Sequence, residues 1–213
     1  MASDGLSARI VGRAEAAGVP VGGALSDALA RYVELLVRWN ERMNLTGLTD
    51  DDAGLDRLVV EPLGAVQRLP TGAARLIDIG SGGGSPAVPM KLARPDLHLR
   101  MVESKSRKAA FLREAVRHLA IGGAEVEACR YEQVAARATE EQRADVVTVR
   151  AVRLDEDGVE CLSRLLAGGG RLFLFEGEDG DGGARVGGRF ETVETYPLVE
   201  TLGSRLVVAS GRR

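Results

Sequence analysis

The spacing of apolar residues along the chain changes near residue 70. Before that point they recur every three or four positions, which is the period of an amphipathic helix. The clearest stripe predicts a helix that ends near Asn44, with Ser26 or Asp27 as its N-terminal cap. A second helix is expected over 51–69, kinked or split by Pro62. The residues of the first stripe are Leu25, Leu29, Tyr32, Val33, Leu36 and Val37.

After Thr71-Gly72, short aliphatic runs alternate with helical patterns. This alternation is typical of parallel strands joined by right-handed helical crossovers. The segment 165–171, Leu-Leu-Ala-Gly-Gly-Gly-Arg, predicts a helix end followed by entry into a strand. The predicted strands are 75–79, 98–102, 124–128, 145–149 and 171–175, and the predicted helices between them are 87–93, 106–119, 133–138 and 155–166.

The end of the chain follows a different pattern. Residues 178–188 are rich in Gly and Asp and predict a loop. Two alternating runs, around 191–199 and 205–209, predict a hairpin at the edge of the sheet. The sequence therefore predicts a helical extension over residues 1–70, followed by an α/β domain over 71–213. We expect a Rossmann-like, mostly parallel seven-stranded sheet with helices on both faces in that domain.

Composition narrows the class of protein. Hydrophobic residues make up 45% of the 213 positions and aromatic residues 4%, which predicts an aliphatic core. The net charge of −3 excludes a globally basic nucleic-acid coat protein, so any contact with RNA must come from a local basic patch. Cys129 and Cys161 lack metal-ligand spacing. We find no membrane span and no secretory signal, and expect a cytoplasmic protein.

Glycines cluster directly after the first predicted strand. Residues 78–84 read Asp-Ile-Gly-Ser-Gly-Gly-Gly, and a helix is expected after them. Glycine permits a sharp backbone turn and the close approach of a ligand. In open α/β sheets, ligands bind at the carboxyl ends of the strands, where such a turn would lie. The strand before the turn and the helix after it make a binding site the favoured interpretation.

An acidic residue ends the second predicted strand. Glu103 lies 23 positions after Gly80, a spacing at which a carboxylate accepts hydrogen bonds from both ribose hydroxyls of a bound nucleoside. Alternatively, Glu103 caps the helix that begins near Ser106. The spacing favours the ribose role.

The residues after the turn separate two kinds of cofactor. The dinucleotide fingerprint Gly-x-Gly-x-x-Gly has its first two glycines here, but Ser85 replaces the third. Pro86 and Pro89 remove backbone N–H groups where a pyrophosphate would need donors. S-adenosylmethionine carries a sulfonium cation and no phosphate, and the Asp78 carboxylate suits a cationic ligand. The pattern favours methyl transfer over hydride transfer.

Several segments spread over most of the chain match a known pattern when they are taken together. They are Arg38-Trp39-Asn40, Asn44-Leu45-Thr46, the turn 78–84 with Pro86 and Pro89, Arg94-Pro95, Glu103 with Arg107-Lys108 and Phe111-Leu112, Arg130-Tyr131-Glu132, and Val149-Arg150-Ala151. This pattern resembles the RsmG (GidB) family, which methylates N7 of a guanine in small-subunit ribosomal RNA. The resemblance implies a class I methyltransferase fold, S-adenosylmethionine as cofactor, ribosomal RNA or the small ribosomal subunit as partner, and a monomer.

The resemblance also implies roles for particular residues. Tyr131 and Glu132 would frame the adenine, and Arg150 and Asn44 would serve catalysis, with Arg150 near the methionine moiety or the target base. Without the resemblance, Glu132 would be taken as a helix cap and Arg150 as a surface charge. The residues implied to bind the cofactor are Asp78, Gly80, Ser81, Gly82, Gly84, Ser85, Glu103, Ser104, Tyr131, Glu132 and Arg150.

At four places the chain differs from the family pattern, and these places lie outside the residues predicted to bind the cofactor or at the edge of that set. Residues 58–62 read Leu-Val-Val-Glu-Pro where the family often has His and Asp-Ser, and Ser85 replaces a bulky apolar residue. Glu176-Gly177 stands in place of Lys-Gly, and Arg205-Leu206 lacks the late His. The charge reversal at Glu176 would weaken attraction for phosphate. These changes bear on the substrate more than on the chemistry.

The expected chemistry needs no general base. N7 of guanine has an in-plane lone pair and no proton, so aligning the reacting atoms and excluding water suffices. His98 and His118 are accordingly interpreted as structural or exposed. Basic residues cluster on the helix after Glu103 and near the end of the first long helix; RNA binding and a solvated helix face are equally good interpretations. The cluster comprises Arg38, Arg42, Lys91, Arg94, Lys105, Arg107, Lys108, Arg113 and Arg117.

Three other functions remain open at this point. The acidic net charge and the substrate-side departures would suit a methyltransferase for a small molecule or a protein. A nicotinamide-dependent oxidoreductase is disfavoured by the Ser85-Pro86 sequence and by the lack of a Tyr-Lys pair. A module that binds the cofactor without catalysis is the third alternative.

Overall fold

The sheet of the protein follows the expected α/β pattern. The computed structural model describes residues 2–47, 51–72, 75–180, 186 and 189–210. Within these ranges seven strands form one sheet in the order β3-β2-β1-β4-β5-β7-β6. The first five strands are parallel, and β7 pairs antiparallel with both β5 and β6. The prediction of a mostly parallel seven-stranded Rossmann-like sheet is therefore confirmed.

The N-terminal part is helical, as its periodicity predicts. Helix α2 ends as expected at Asn44, which adopts a left-handed conformation with φ 46°. The predicted cap at Ser26 or Asp27 is wrong, because α2 already begins at Gly23 and these side chains hydrogen-bond with Ser7 of α1 instead. The elements are α1 (Ala2–Ala16), α2 (Gly23–Met43), α3 (Asp52–Leu55), a π-helical turn (Asp56–Val60) and α4 (Glu61–Val66).

The interruption predicted at Pro62 takes the form of a π-helical turn. Residues Asp56–Val60 wind with the wider π geometry, and Pro62 then stands in the first turn of α4, where its missing N–H costs little. The turn is tied to α1, because the buried Asp56 carboxylate pairs with Arg13. Short π segments occur often at functional sites.

The α/β part matches the predicted elements within a few residues, except at β5. Helix α8 ends at Leu165, at the start of the predicted helix end over 165–171, but the strand begins at Leu166 and not at the expected Arg171. The register of β4 against β5 shifts between Ala144 and Val146, and this irregularity absorbs the glycines. The elements are β1 (Arg75–Ile79), α5 (Ala87–Ala93), β2 (His98–Val102), α6 (Ser106–His118), β3 (Ala124–Glu127), α7 (Tyr131–Arg137), a 3₁₀ turn (Glu140–Gln142), β4 (Ala144–Arg150), α8 (Glu156–Leu165), β5 (Leu166–Glu176), β6 (Thr192–Pro197), a second 3₁₀ turn (Glu200–Leu202) and β7 (Arg205–Ser210).

Two apolar cores lie on the two faces of the sheet. On one face, residues of α1, α2 and α4 pack together with α5, α6 and alternate strand residues such as Leu76 and Phe173. On the other face, α7 and α8 cover the opposite alternation, which includes Ile77 and Leu172. The N-terminal helices thus share a core with the sheet; the division at residue 70 stays a prediction.

The hairpin predicted near the end of the chain is present as β6 and β7, with β6 at the sheet edge. The loop predicted over 178–188 falls in part outside the described residues. None of the described helices is long and apolar enough to cross a membrane.

Candidate active site

The glycine turn after β1 requires glycine at three positions. Gly80, Gly82 and Gly84 have φ values of 69°, 51° and 90°, in the left-handed region that side chains disfavour. At Gly80 space is also lacking, because a Cβ there would lie 2.5 Å from Cγ2 of Val152. The Gly80 N–H donates to the Val102 carbonyl at 2.8 Å, which fixes the turn against the tip of β2.

Helix α2 supports the turn from the other side. The buried Tyr32 hydroxyl donates to the Gly83 carbonyl at 2.7 Å. A Cβ on Gly83 would lie 3.1 Å from Cδ1 of Leu36, so the helix packs directly on the turn. Burial raises the pKa of Tyr32, which keeps the hydroxyl protonated as a donor. The N-terminal extension is therefore part of the wall of the site.

Glu103 accepts a hydrogen bond from the backbone of the glycine turn. Its Oε2 accepts the Gly82 N–H at 2.9 Å, and its Oε1 accepts the Lys105 N–H at 2.7 Å just before α6. The buried carboxylate stabilises the entry to α6, as the capping alternative expects, and it also borders the turn at the tip of β2; its ribose role stays a prediction. Each carboxylate oxygen has a second lone-pair direction, which leaves acceptor capacity for ribose hydroxyls.

Asp78 is a buried carboxylate with one unused oxygen. Its Oδ1 accepts the Thr148 hydroxyl from β4 at 2.6 Å, whereas Oδ2 is buried and has no hydrogen-bond partner among the described residues. Burial raises the pKa of Asp78 to about 6, against the opposing effects of Ser81, Thr148 and Arg150. A buried acceptor without a donor is a feature that a cationic or N–H-bearing ligand would satisfy.

Arg150, the last residue of β4, is held by a dense set of contacts. Its side chain is 15% exposed and pairs with Glu61, whose side chain is 6% exposed. Its Nη1 donates to the Ser85 hydroxyl at 3.1 Å and to the Arg57 carbonyl, and its guanidinium lies 4.6 Å from the ring centroid of Phe175. The alternative of a surface charge is therefore wrong.

Burial shifts the pKa of each partner in this ion pair in the direction that favours its neutral form. It lowers the pKa of Arg150 and raises that of Glu61, and the attraction between the two groups opposes both shifts. The pair joins the N-terminal extension to the sheet, because Glu61 begins α4 and Arg150 ends β4.

The π-helical turn supplies acceptors to the same cluster. The Leu58 carbonyl accepts the Ser85 hydroxyl at 2.9 Å, and the Arg57 carbonyl accepts from Arg150. Sequence reasoning treated Ser85 and residues 58–62 as departures and did not single out Glu61. The sequence does contain a signal for Glu61, because a carboxylate in an apolar stretch beside Val59 and Val60 requires a buried partner.

A cavity of about 670 Å³ lies between the glycine turn, the π-helical turn and the tips of β4 and β5. Its wall runs from the glycine turn to the tips of β4 and β5 and to the segment after α2. The departure at Glu176 lies in this wall, where the carboxylate is 3.3 Å from Arg205 Nε. The lining residues are Leu45, Thr46, Gly47, Arg57, Leu58, Glu61, Gly80, Ser81, Gly82, Gly83, Ser85, Lys108, Arg150, Ala151, Phe175, Glu176, Gly177 and Ser204.

Seven site residues expected from the sequence are not among the residues that line the cavity. Three of them, Asp78, Gly84 and Glu103, belong to the glycine turn or lie beside it, and the other four are Asn44, Ser104, Tyr131 and Glu132. Tyr131 and Glu132 begin α7; the Tyr131 hydroxyl faces α8 near Gly158, and Glu132 Oε2 is buried without a partner among the described residues. Ser104 is exposed after Glu103. Asn44 is exposed at the end of α2, next to the lining segment that begins at Leu45.

Solved structures with the same fold narrow the class of protein. The T. thermophilus 16S rRNA N2 G1207 methyltransferase in complex with AdoMet and guanosine matches with a TM-score of 0.56 at 22% identity, over 71% of this chain and 43% of that one. The pyocyanin biosynthetic protein PhzM matches with a TM-score of 0.60 at 17% identity, over 87% and 64%. Together with the strand order, these likenesses show the fold of the protein, which is the Rossmann-like fold of class I methyltransferases.

Sequence relatives narrow the class to a family. The GidB family model, described as rRNA small subunit methyltransferase G, matches residues 25–186. Proteins named ribosomal RNA small subunit methyltransferase G are 38% identical in Chloroflexus aggregans, over 76% of this chain and 68% of the relative, and 36% identical in Syntrophotalea carbinolica, over 73% and 70%. The chain belongs to this family.

Proposed function

We propose that this protein transfers the methyl group of S-adenosylmethionine to N7 of a guanine in small-subunit ribosomal RNA. The observation that carries the proposal is the cavity that joins the glycine turn to Arg150. Family membership supports ribosomal RNA as the substrate class. We infer that the protein acts as a monomer in the cytoplasm, on naked RNA or on the small subunit.

The residues at the strand tips suit the cofactor. Glu103 has acceptor capacity for ribose hydroxyls, and the side-chain-free turn at Gly80 and Gly82 lets a nucleoside approach the backbone. The unused Oδ2 of Asp78 suits the ammonium or sulfonium end. The orphaned Oε2 of Glu132 suits the exocyclic amine of the adenine. When bound, the cofactor supplies an electrophilic methyl group on a positively charged sulfur.

Arg150 is proposed to orient the target base. Its hydrogen bonds use Nη1 and one N–H of Nη2, so Nε–H and the second Nη2–H have no acceptor among the described residues. Donation from one of these to O6 of guanine would leave the adjacent N7 lone pair free. Phe175, against the guanidinium, provides apolar surface in the same wall.

The chain then contributes to catalysis by aligning the two reactants and by excluding water from the cavity. N7 carries no proton, so no residue has to remove one. Holding two reactants in line contributes about 7–11 kcal/mol to lowering a barrier of this kind. Among the described residues, no histidine or cysteine lines the cavity, which is consistent with this chemistry.

A labelled-methyl assay tests the proposal. The protein is incubated with methyl-labelled S-adenosylmethionine and either naked small-subunit RNA or isolated small subunits that lack the modification. After digestion to nucleosides, we expect the label in N7-methylguanosine, at no more than one methyl per RNA. Gly80→Val serves as the inactive control. Label on another atom, or only on protein or small molecules, would overturn the proposal.

A further inference from the structure

The cations of this protein differ in whether they have a carboxylate partner. Many arginines away from the cavity form ion pairs, such as Arg100 with Glu127 at 3.2 Å and Arg164 with Glu160 at 3.2 Å. In contrast, a group of five cations on α2 and α6 forms no ion pair with any carboxylate of the described residues. We call this group the basic rim: Arg38, Arg42, Lys105, Arg107 and Lys108.

The fold packs α2 against α6, whose residues and N-cap carry the basic rim, beside the cavity. Helix α2 reaches α6 through an edge-to-face contact between Trp39 and Phe111, with ring centroids 5.7 Å apart. Lys108 lines the cavity, and its Nζ lies 3.7 Å from the point where a side chain on Gly82 would begin. The segment after α2 lines the cavity too, from Leu45 to Gly47.

The side chains of the basic rim are available to a partner. Arg38, Arg42, Lys105 and Arg107 are exposed, and Lys108 is half-buried. The nearby Glu103 forms no ion pair with them among the described residues; its oxygens accept the N–H groups of Gly82 and Lys105.

Cations without carboxylate partners extend along the same edge of the sheet. Arg57 lines the cavity, and Arg130 and Arg153 follow β3 and β4. Six further cations without a carboxylate partner among the described residues lie elsewhere on the protein: Arg31, Arg68, Lys91, Arg113, Arg143 and Arg171.

The tip of β5 has the opposite charge. Glu176 lies in the cavity wall, where it pairs with Arg205, and the carboxylates of Glu178 and Asp179 are exposed directly after it. A polyanion that enters the cavity would be attracted on the side of α2 and α6 and repelled on the side of β5. Although the net charge of the chain is −3, its charges are thus segregated around the cavity.

We propose that the basic rim binds the phosphate backbone of the RNA next to the target nucleotide, and that the strand runs over α2 and α6, away from the tip of β5. Unpaired arginines and lysines are the groups that bind phosphate, and they release counterions as they do so. The inference rests on the proposed function, because it takes RNA to be the partner.

Salt-dependent binding tests the basic rim. The triple variant Arg38→Ala/Arg42→Ala/Arg107→Ala is compared with Arg117→Ala/Arg137→Ala/Arg164→Ala, which removes the same charge from ion pairs elsewhere. Binding of small-subunit RNA is measured between 50 and 200 mM salt. We expect the first variant to reduce the slope of log affinity against log salt by about 2, since each phosphate contact contributes about 0.7 on single strands.

A gain-of-function variant makes the test independent of folding damage. Glu41 is an exposed carboxylate on α2 between Arg38 and Arg42. Glu41→Lys should steepen the salt dependence by about 1 and tighten RNA binding several-fold. S-adenosylmethionine affinity should be unchanged in all of these variants.

The outcomes separate this inference from the proposed function. Equal slopes in the two triple variants, or no change in Glu41→Lys, would overturn the role of the basic rim even if the native protein methylates RNA. If RNA binding depends on the basic rim but no methyl is transferred to RNA, the proposed function fails and the binding surface stands.

Discussion

Polar side chains near the two edges of the central sheet differ in how far the protein satisfies their hydrogen-bonding groups. At the amino edge, Arg94 makes two hydrogen bonds to Asp96, at 2.8 and 2.6 Å, and the buried Lys91 ammonium donates to the carbonyls of Pro95 and Leu97. Near the carboxyl edge, Asp78 keeps an oxygen without a donor.

The difference separates folding from function. At the amino edge, Arg94, Asp96 and Lys91 are satisfied by one another or by nearby carbonyls, so these groups stabilise the fold and offer little to a ligand. Polar groups at the carboxyl edge are held in place by the fold but keep unused donors, acceptors and charges. The carboxyl edge is also where ligands bind in open α/β sheets. Changes at the two edges should therefore have different consequences.

The largest expected effect is at the glycine turn. Gly80→Val should reduce S-adenosylmethionine binding below detection, because the side chain would collide with Val152 and φ 69° disfavours valine. Gly72→Val is the control, since Gly72 has φ 76° with no atom near its missing Cβ. Calorimetric titration should show normal cofactor affinity in Gly72→Val. Normal affinity in Gly80→Val would place the cofactor elsewhere.

Arg150→Lys should lower kcat about 100-fold, because lysine keeps the charge but cannot reproduce the forked contacts that fix the base. The matched change at the amino edge is Arg75→Lys, where Arg75 Nε lies 4.0 Å from the Asp145 carboxylate. That control should keep kcat within about twofold, in single-turnover assays. A similar loss of kcat in both variants would erase the functional distinction between the edges.

Cofactor affinity should depend on pH through Asp78. Its pKa in the folded protein is raised to about 6, so stability from this group is fully present below its unfolded pKa and is lost as the pH rises through 6. A cation beside Asp78 favours the ionised form. Affinity for S-adenosylmethionine should therefore fall by about tenfold between pH 8 and pH 5.

The control for this pH dependence is Asp78→Asn, which cannot ionise. Its cofactor affinity should be weaker at pH 8 and nearly flat with pH, when titrated under the same conditions. A native profile that is flat across pH 6 would show that Asp78 does not face the cofactor's charge.

The smallest expected effect on the site comes from Lys91→Met. This change leaves the carbonyls of Pro95 and Leu97 without their donor, at a cost of about 1–3 kcal/mol in the free energy of unfolding. Cofactor affinity of the folded protein should be unchanged. Denaturant titration and calorimetry on the same sample measure both; loss of affinity without loss of stability would contradict the comparison.

The pattern of apolar residues predicted the sheet well, because buried parallel strands are continuous aliphatic runs that lie between segments with helical periodicity. The start of β5 was missed, since residues 167–170 read as a helix end while a register shift against Ala144 accommodates their glycines. The cap predicted at Ser26 or Asp27 was wrong because α2 begins earlier, at Gly23, and both side chains hydrogen-bond with Ser7 of α1.

The site was predictable only in part, for a similar reason. The glycine turn and Glu103 are close in sequence to the strands that place them, so spacing identified them. The pair of Glu61 and Arg150 joins residues 89 positions apart. No local pattern encodes that contact, and it depends on how the π-helical turn packs against the tip of β4.

The central claim, that the carboxyl edge holds S-adenosylmethionine through one carboxylate, is tested most directly by calorimetric titration of the native protein and Glu103→Gln. The native protein should bind one cofactor per chain. Glu103→Gln should bind about 10–100-fold more weakly, because hydrogen bonds to a charged group contribute about 1.5–3 kcal/mol. Equal affinities in the two proteins, or no binding to the native protein, would contradict the account.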